Sequence, residues 1–114
     1  MLNDLDATLG ALGDPTRRGV VDLLRERPHR AGELARAFHV SPPAMSRHLR
    51  VLRGAGLVEE ERMDADARVR LYRLRPERFE DLDSWLRHVA SLWREQLASF
   101  KEHAESRAAE QEER

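Results

Sequence analysis

Ser41-Pro42 follows, after only His39-Val40, an apolar-periodic stretch that ends at Phe38, and this juxtaposition constrains the fold more than any other feature of the chain. Serine is favoured at a helix N-cap because its hydroxyl accepts one of the first unpaired backbone N–H groups, and proline suits the first helical position, where its missing N–H costs nothing. A helix therefore starts here and runs to about Arg53, closed by Gly54 and Gly56. The stretch before it, roughly Ala31 to Phe38, makes a helix of its own that buries Leu34, Ala35 and Phe38. Its start reads as poorly capped, since Arg30 and Ala31 stand where serine or aspartate is preferred. Two helices joined by a turn of about three residues form a helix-turn-helix.

The flanks extend the pattern. Leu2, Leu5, Leu9 and Leu12 recur at helical spacing and predict a short first helix ending near Gly13. Asp14-Pro15 is a second cap-plus-proline signal, opening a helix to about Arg27 with Val20, Val21 and Leu24 inward, and Pro28 stops it. From Leu57 the period becomes two. Strands near Leu57–Met63 and Val69–Arg75, joined by Asp64-Ala65-Asp66-Ala67, form a hairpin with Tyr72 and Leu74 on its inner face. After Pro76 a long helix runs from about Glu77 to at least His103, with Leu82, Trp85, Leu86, Val89, Leu92, Trp93, Leu97 and Phe100 at its apolar positions. The expected fold is mainly α with a small β-hairpin: four helices, two strands and a last helix, a winged helix-turn-helix. Residues 1–104 form one domain, and residues 105–114 read as a polar, fraying, disordered tail.

Composition narrows the function. Without cysteine there is no thiolate metal site, disulfide framework or thiol nucleophile. No apolar run approaches a membrane span and the N-terminus has no basic leader, so a cytoplasmic protein with no membrane partner is expected. The formal net charge of −1 hides an uneven distribution. Residues 15–75 carry fourteen arginines against eight Asp and Glu, whereas residues 1–14 carry three acids and no base, and residues 76–114 ten acids and six bases. A basic middle between acidic ends places a phosphate-binding surface on the middle. None of the Ser, His, Asp and Glu residues stands in a nucleophile elbow, phosphate loop or HExxH setting, so no enzyme activity is expected.

Four motifs in order, Leu12-Gly13-Asp14-Pro15-Thr16-Arg17-Arg18, Gly32-Glu33-Leu34-Ala35, Val40-Ser41 with Ser46-Arg47-His48-Leu49-Arg50-Val51-Leu52, and Gly56-Leu57-Val58 with Leu71-Tyr72-Arg73-Leu74, resemble the successive signatures of the ArsR family of winged-helix regulators. The resemblance covers about residues 5–100. It implies a homodimeric repressor of transcription that binds double-stranded operator DNA and leaves it when a metal or another signal arrives. The motifs do not name the inducer.

At 100° per residue, the fourth helix turns Met45, Leu49, Leu52 and, at the margin, His48 inward. Its other side presents Pro43, Arg47 and Arg50, flanked by Ala44 and Ser46, to base edges and phosphates of a major groove. Ser41 joins them as a cap that also sits against phosphate. Arg17 and Arg18 are candidates for backbone contact. On the hairpin, Arg68 and Arg70 are candidates for a wing that reaches phosphate or the minor groove, against which Asp64 and Asp66 at the tip would repel DNA.

The first and last helices carry apolar stripes and acidic outer faces. A two-fold interface through Leu2, Leu5, Leu9, Leu86, Val89, Trp93, Leu97 and Phe100 accounts for both; the alternative is a last helix folded back on its own domain. No cofactor and no metal are expected. In metal-sensing relatives of the resembled family the ligands are third-helix thiolates or a last-helix D-x-H pair, and here Asp81-Leu82-Asp83 has an acid where the histidine is needed. His88 and His103 lie about 22 Å apart along one helix, so an atypical site would need antiparallel helices of two subunits. That metal sensor, and an interaction module that has lost DNA binding, are the alternative readings.

Overall fold

The computed structural model describes residues 3–63 and 69–112, so Leu2 and Arg68 lie outside the described residues. Among the described residues eight elements follow one another: α1 Asn3–Ala11, α2 Pro15–Glu26, β1 His29–Arg30, α3 Ala31–Ala37, α4 Pro42–Gly54, β2 Val58–Arg62, β3 Arg70–Leu74 and α5 Glu77–Glu112. They form two compact units, one through Leu82 and one from Asp83 onward.

The caps act as their residue types dictate. Asp14 accepts from the Arg17 backbone N–H at 3.0 Å to start α2, and the Ser41 hydroxyl accepts from that of Ala44 at 3.2 Å to start α4. At the start of α3 the Arg30 side chain makes no cap hydrogen bond, as expected. Glu33, at the third helical position, reaches back and accepts from the Arg30 backbone N–H at 3.2 Å, the reciprocal half of a capping box. The turn into α4 places His39 in the left-handed region at φ 54°, while the Val40 N–H returns to the Ala35 carbonyl at 3.1 Å. Gly56, at φ 77°, closes α4 and lets the Leu57 N–H reach the Leu52 carbonyl at 3.0 Å.

The expected hairpin is part of a three-stranded antiparallel sheet in the order β1-β3-β2. Across it Val58 faces Leu74, Glu60 faces Tyr72 and Arg62 faces Arg70. The unexpected strand is β1, where His29 pairs with Tyr72 and Arg30 with Leu71. Two residues show no periodicity, and they become a strand only because the outer edge of β3 offers its backbone groups.

In the first unit Val20, Leu24, Leu34, Ala35, Met45, Leu49, Leu52, Leu57, Val58 and Tyr72 form the core, with Val21, Phe38 and Leu74 packed against it. The inward assignments for α2, α3, α4 and the hairpin therefore hold. Gly19 permits the approach of α2 to Phe38, since a Cβ there would run into the Phe38 ring. Thr8 is also buried, its hydroxyl donating to the Asp4 carbonyl one turn back at 2.9 Å.

In the second unit α5 continues to Glu112, so residues 105–112, expected as a fraying tail, are helical and exposed. No residue of α5 is buried.

Candidate nucleic-acid interface

The core side of α4 decides what its other side can do. With Met45, Leu49 and Leu52 buried, the 3.6-residue period leaves Pro43, Ser46, Arg47 and Arg50 exposed and Ala44 half-buried, beside an exposed Ser41. Among the described residues, no carboxylate lies within salt-bridge distance of Arg47 or Arg50, so both guanidinium groups are available to an outside anion. His48 is half-buried, as its marginal position on the inward side predicts.

Arg17, expected at a DNA backbone, makes several contacts within the chain. Its Nε donates to the Ala11 carbonyl at 2.7 Å and its Nη2 to that of Gly10 at 3.3 Å, while Nη1 lies 3.3 Å from Nδ1 of His48. The guanidinium closes the C-terminus of α1, where unpaired carbonyls and the helix dipole attract a cation. Arg18 does the same for the Leu12 carbonyl at 2.7 Å. Beside them the Asp14 carboxyl is held below its ordinary value, chiefly by the Arg17 backbone N–H and further by the nearby charges of His48 and Arg17, against a desolvation cost.

Arg73 and Arg70 of the hairpin are also engaged. Arg73 pairs with Glu59 at 2.6 Å and Glu61 at 3.1 Å. Arg70 pairs through Nε with Glu60 at 3.2 Å. Glu60 is the residue that the sequence reading passed over: it also receives Arg53 Nη1 at 3.0 Å and the Tyr72 hydroxyl at 3.2 Å. Burial and this carboxylate raise the Tyr72 hydroxyl above its ordinary pKa. The one available signal was the register, which sets Glu60 opposite Tyr72 once the hairpin is aligned; Arg53 belongs to another element and left no trace in the spacing. A cleft of about 440 Å³, between α3, the start of α4 and the hairpin, is lined by Arg30, Arg36, Ser46, Arg70 and Tyr72 among others. Among the described residues, no group of three or more His, Asp or Glu side chains is arranged to hold a metal ion.

On the outer helices, Leu9 is exposed and Leu5 half-buried in α1. In α5, Leu86 is 50% exposed, Trp93 61%, Leu97 60% and Phe100 74%, with Val89 half-buried.

Comparison with known proteins fits this geometry. The family described as bacterial regulatory protein, arsR family, matches residues 14–60, the span from the α2 cap through the helix-turn-helix into β2. The transcriptional repressor SdpR of Bacillus subtilis is 40% identical over 52 residues, covering 46% of this chain and 58% of that protein. The chain spans about half the length of the curated relatives it matches. A relative of solved structure is matched more completely: the ArsR-like transcriptional regulator from Rhodococcus sp. RHA1 is 30% identical, with a TM-score of 0.77 over 90% of this chain and 92% of that one. The solution structure of the homodimeric winged helix-turn-helix DNA-binding domain Mb0332 from Mycobacterium bovis is 26% identical, with a TM-score of 0.62 over 79% and 81%. These relatives are regulators, not enzymes. Identity and fold that extend over nearly the whole length of such a regulator leave one classification, and the chain belongs to the ArsR family of winged helix-turn-helix transcriptional regulators.

Proposed function

We propose that the protein is a homodimeric repressor that binds double-stranded operator DNA by laying α4 in the major groove. The observation that carries this reading is the outward face of α4, where Arg47 and Arg50 stand exposed with no carboxylate of the described residues in reach, on a helix whose inner face is locked into the core. Arg47 reads base edges, Arg50 and Ser41 hold backbone phosphates, and Pro43, Ala44 and Ser46 line the contact. The hairpin, through Arg70 and Arg68, follows the adjacent backbone. A second copy covers the apolar face of α5 at Leu86, Val89, Trp93, Leu97 and Phe100 and the leucines of α1, so that two recognition helices meet one operator. The names of SdpR, a transcriptional repressor, and of Mb0332, a homodimeric domain, support repression and dimerisation. The signal is not read through thiolates, since the chain has no cysteine. No described helix is long and apolar enough to cross a membrane, in keeping with action on DNA in the cytoplasm.

Selection of bound fragments from a random duplex pool tests the reading. Enrichment of a two-fold symmetric site supports it, and recovery of no enriched sequence overturns it. Metals and metabolites are then screened for release of that site.

A further inference from the structure

The strongest feature outside the α4 face is the junction of Arg53, Glu60, Arg70 and Tyr72. Arg53 is in the last turn of α4, Glu60 on β2, and Arg70 and Tyr72 on β3, so one side-chain cluster joins the recognition helix to both strands of the hairpin. The Glu60 side chain is 10% exposed; its carboxylate forms ion pairs with Arg53 at 3.0 Å and Arg70 at 3.2 Å and accepts a hydrogen bond from the Tyr72 hydroxyl. The two guanidinium groups are not buried: the Arg53 side chain is 51% exposed and that of Arg70 49%. Arg70 is held by Nε, which leaves its Nη edge unoccupied by this contact, and Arg53 is held by one Nη. The cluster opens into a cleft of about 190 Å³ between α4 and the hairpin, also lined by Ser46 and Arg50.

Charge sets what the cleft can take. Among the described residues, two guanidinium groups share one carboxylate, so the junction carries one uncompensated positive charge with planar N–H donors at a polar mouth. A guanidinium held on one edge by a carboxylate loses little freedom when its other edge meets an anion, and that edge matches an oxyanion bidentately. We infer that this junction is a binding site for one phosphate of the duplex backbone, with Arg53 and Arg70 as its donors and Glu60 as the residue that positions them. The inference rests on the DNA-binding reading above. It adds Arg53 to the contact surface and gives Glu60, an acid facing DNA, a role there.

The site makes a prediction that depends on charge count. The slope of log affinity against log salt reports the number of phosphates neutralised, by about one unit per contact. On a random-sequence duplex, Arg53→Gln should lower that slope by about one unit per subunit. Glu60→Gln should raise it by about the same amount, and the double variant should return it to the wild-type value. Arg87→Gln, which removes an equal charge from an ion pair with Asp83 on α5, serves as a control and should leave the slope unchanged. Thermal melting accompanies each variant; should Glu60→Gln fail to fold, Arg53→Gln still decides, because its side chain is exposed. A lower melting temperature for Arg53→Gln with an unchanged slope would make the junction a structural fastener and overturn the inference alone. A slope lowered equally by Arg87→Gln would overturn it as well, by tracing the effect to net charge. Failure of the wild-type protein to bind any duplex would overturn the DNA-binding reading and this inference with it.

Discussion

Nη1 of Arg17 lies 3.3 Å from Nδ1 of His48, joining the first turn of α2 to the middle of α4. A guanidinium only donates, so the contact is a hydrogen bond in the tautomer whose Nδ1 accepts. The rest of the guanidinium holds the Gly10 and Ala11 carbonyls, so one side chain secures α1 and buttresses the recognition helix. Arg17→Ala should therefore cost about 1–2 kcal/mol of stability, the range for charge-assisted hydrogen bonds reduced for partial exposure. Denaturant melts measure that cost. The salt slope of DNA affinity should not change, and a loss of one unit would return Arg17 to the DNA backbone.

Among the described residues, Arg47 has no such internal partner. Arg47→Ala should leave the melting temperature unchanged and cost about 1–3 kcal/mol at the selected operator, with much less loss on random duplex. Titrations of both duplexes at one salt concentration check this. Equal losses on the two would make Arg47 a phosphate contact.

The exposed face of α5 should bind a second copy. Trp93→Glu combined with Leu97→Glu places charge on side chains that are 61% and 60% exposed in the single chain, so the monomer fold should survive. Sedimentation at micromolar concentration should show dimers for the wild-type protein and monomers for the variant, with operator affinity reduced in parallel. A wild-type monomer would remove this interface.

The cap carboxylates predict the acid limb of stability. Asp14 is lowered chiefly by the Arg17 N–H, and Glu33 chiefly by the Arg30 N–H, with the Arg27 guanidinium adding to it. A carboxyl lowered in the folded state contributes stability that is fully present above its ordinary range and is lost as pH falls through the lowered folded value. Asp14→Asn and Glu33→Gln should each flatten the fall in melting temperature below that range. Unaltered acid limbs in both variants would show that these bonds do not couple to folding.

His39 occupies a left-handed conformation between the helices of the helix-turn-helix. Glycine adopts it without the Cβ penalty of about 1 kcal/mol. His39→Gly should raise the melting temperature by a few degrees without altering the salt slope. A lower melting temperature would show that the imidazole contributes more than the backbone strain costs.

Local rules are legible in the sequence wherever one residue's chemistry acts on its own neighbourhood. The capping groups of Asp14 and Ser41, the proline after each, and the period that turns Met45, Leu49 and Leu52 inward bounded α2 and α4 and left Arg47 and Arg50 outside. The bond from the Arg30 N–H to Glu33 is equally local, set by an acceptor three residues on rather than at the cap itself. What tertiary structure alone decided depends on pairing between distant segments. β1 exists because β3 offers an edge to His29 and Arg30. Arg17 looks like a surface cation in sequence, yet the ends of α1 and α2 come close enough for it to satisfy two carbonyls. Glu60 reads as one acid in a run of three until the hairpin register and the end of α4 bring Tyr72, Arg70 and Arg53 to its carboxylate. Periodicity fixes which face a side chain occupies, but which charges meet is set by the distances between elements, and a one-dimensional pattern does not contain those distances.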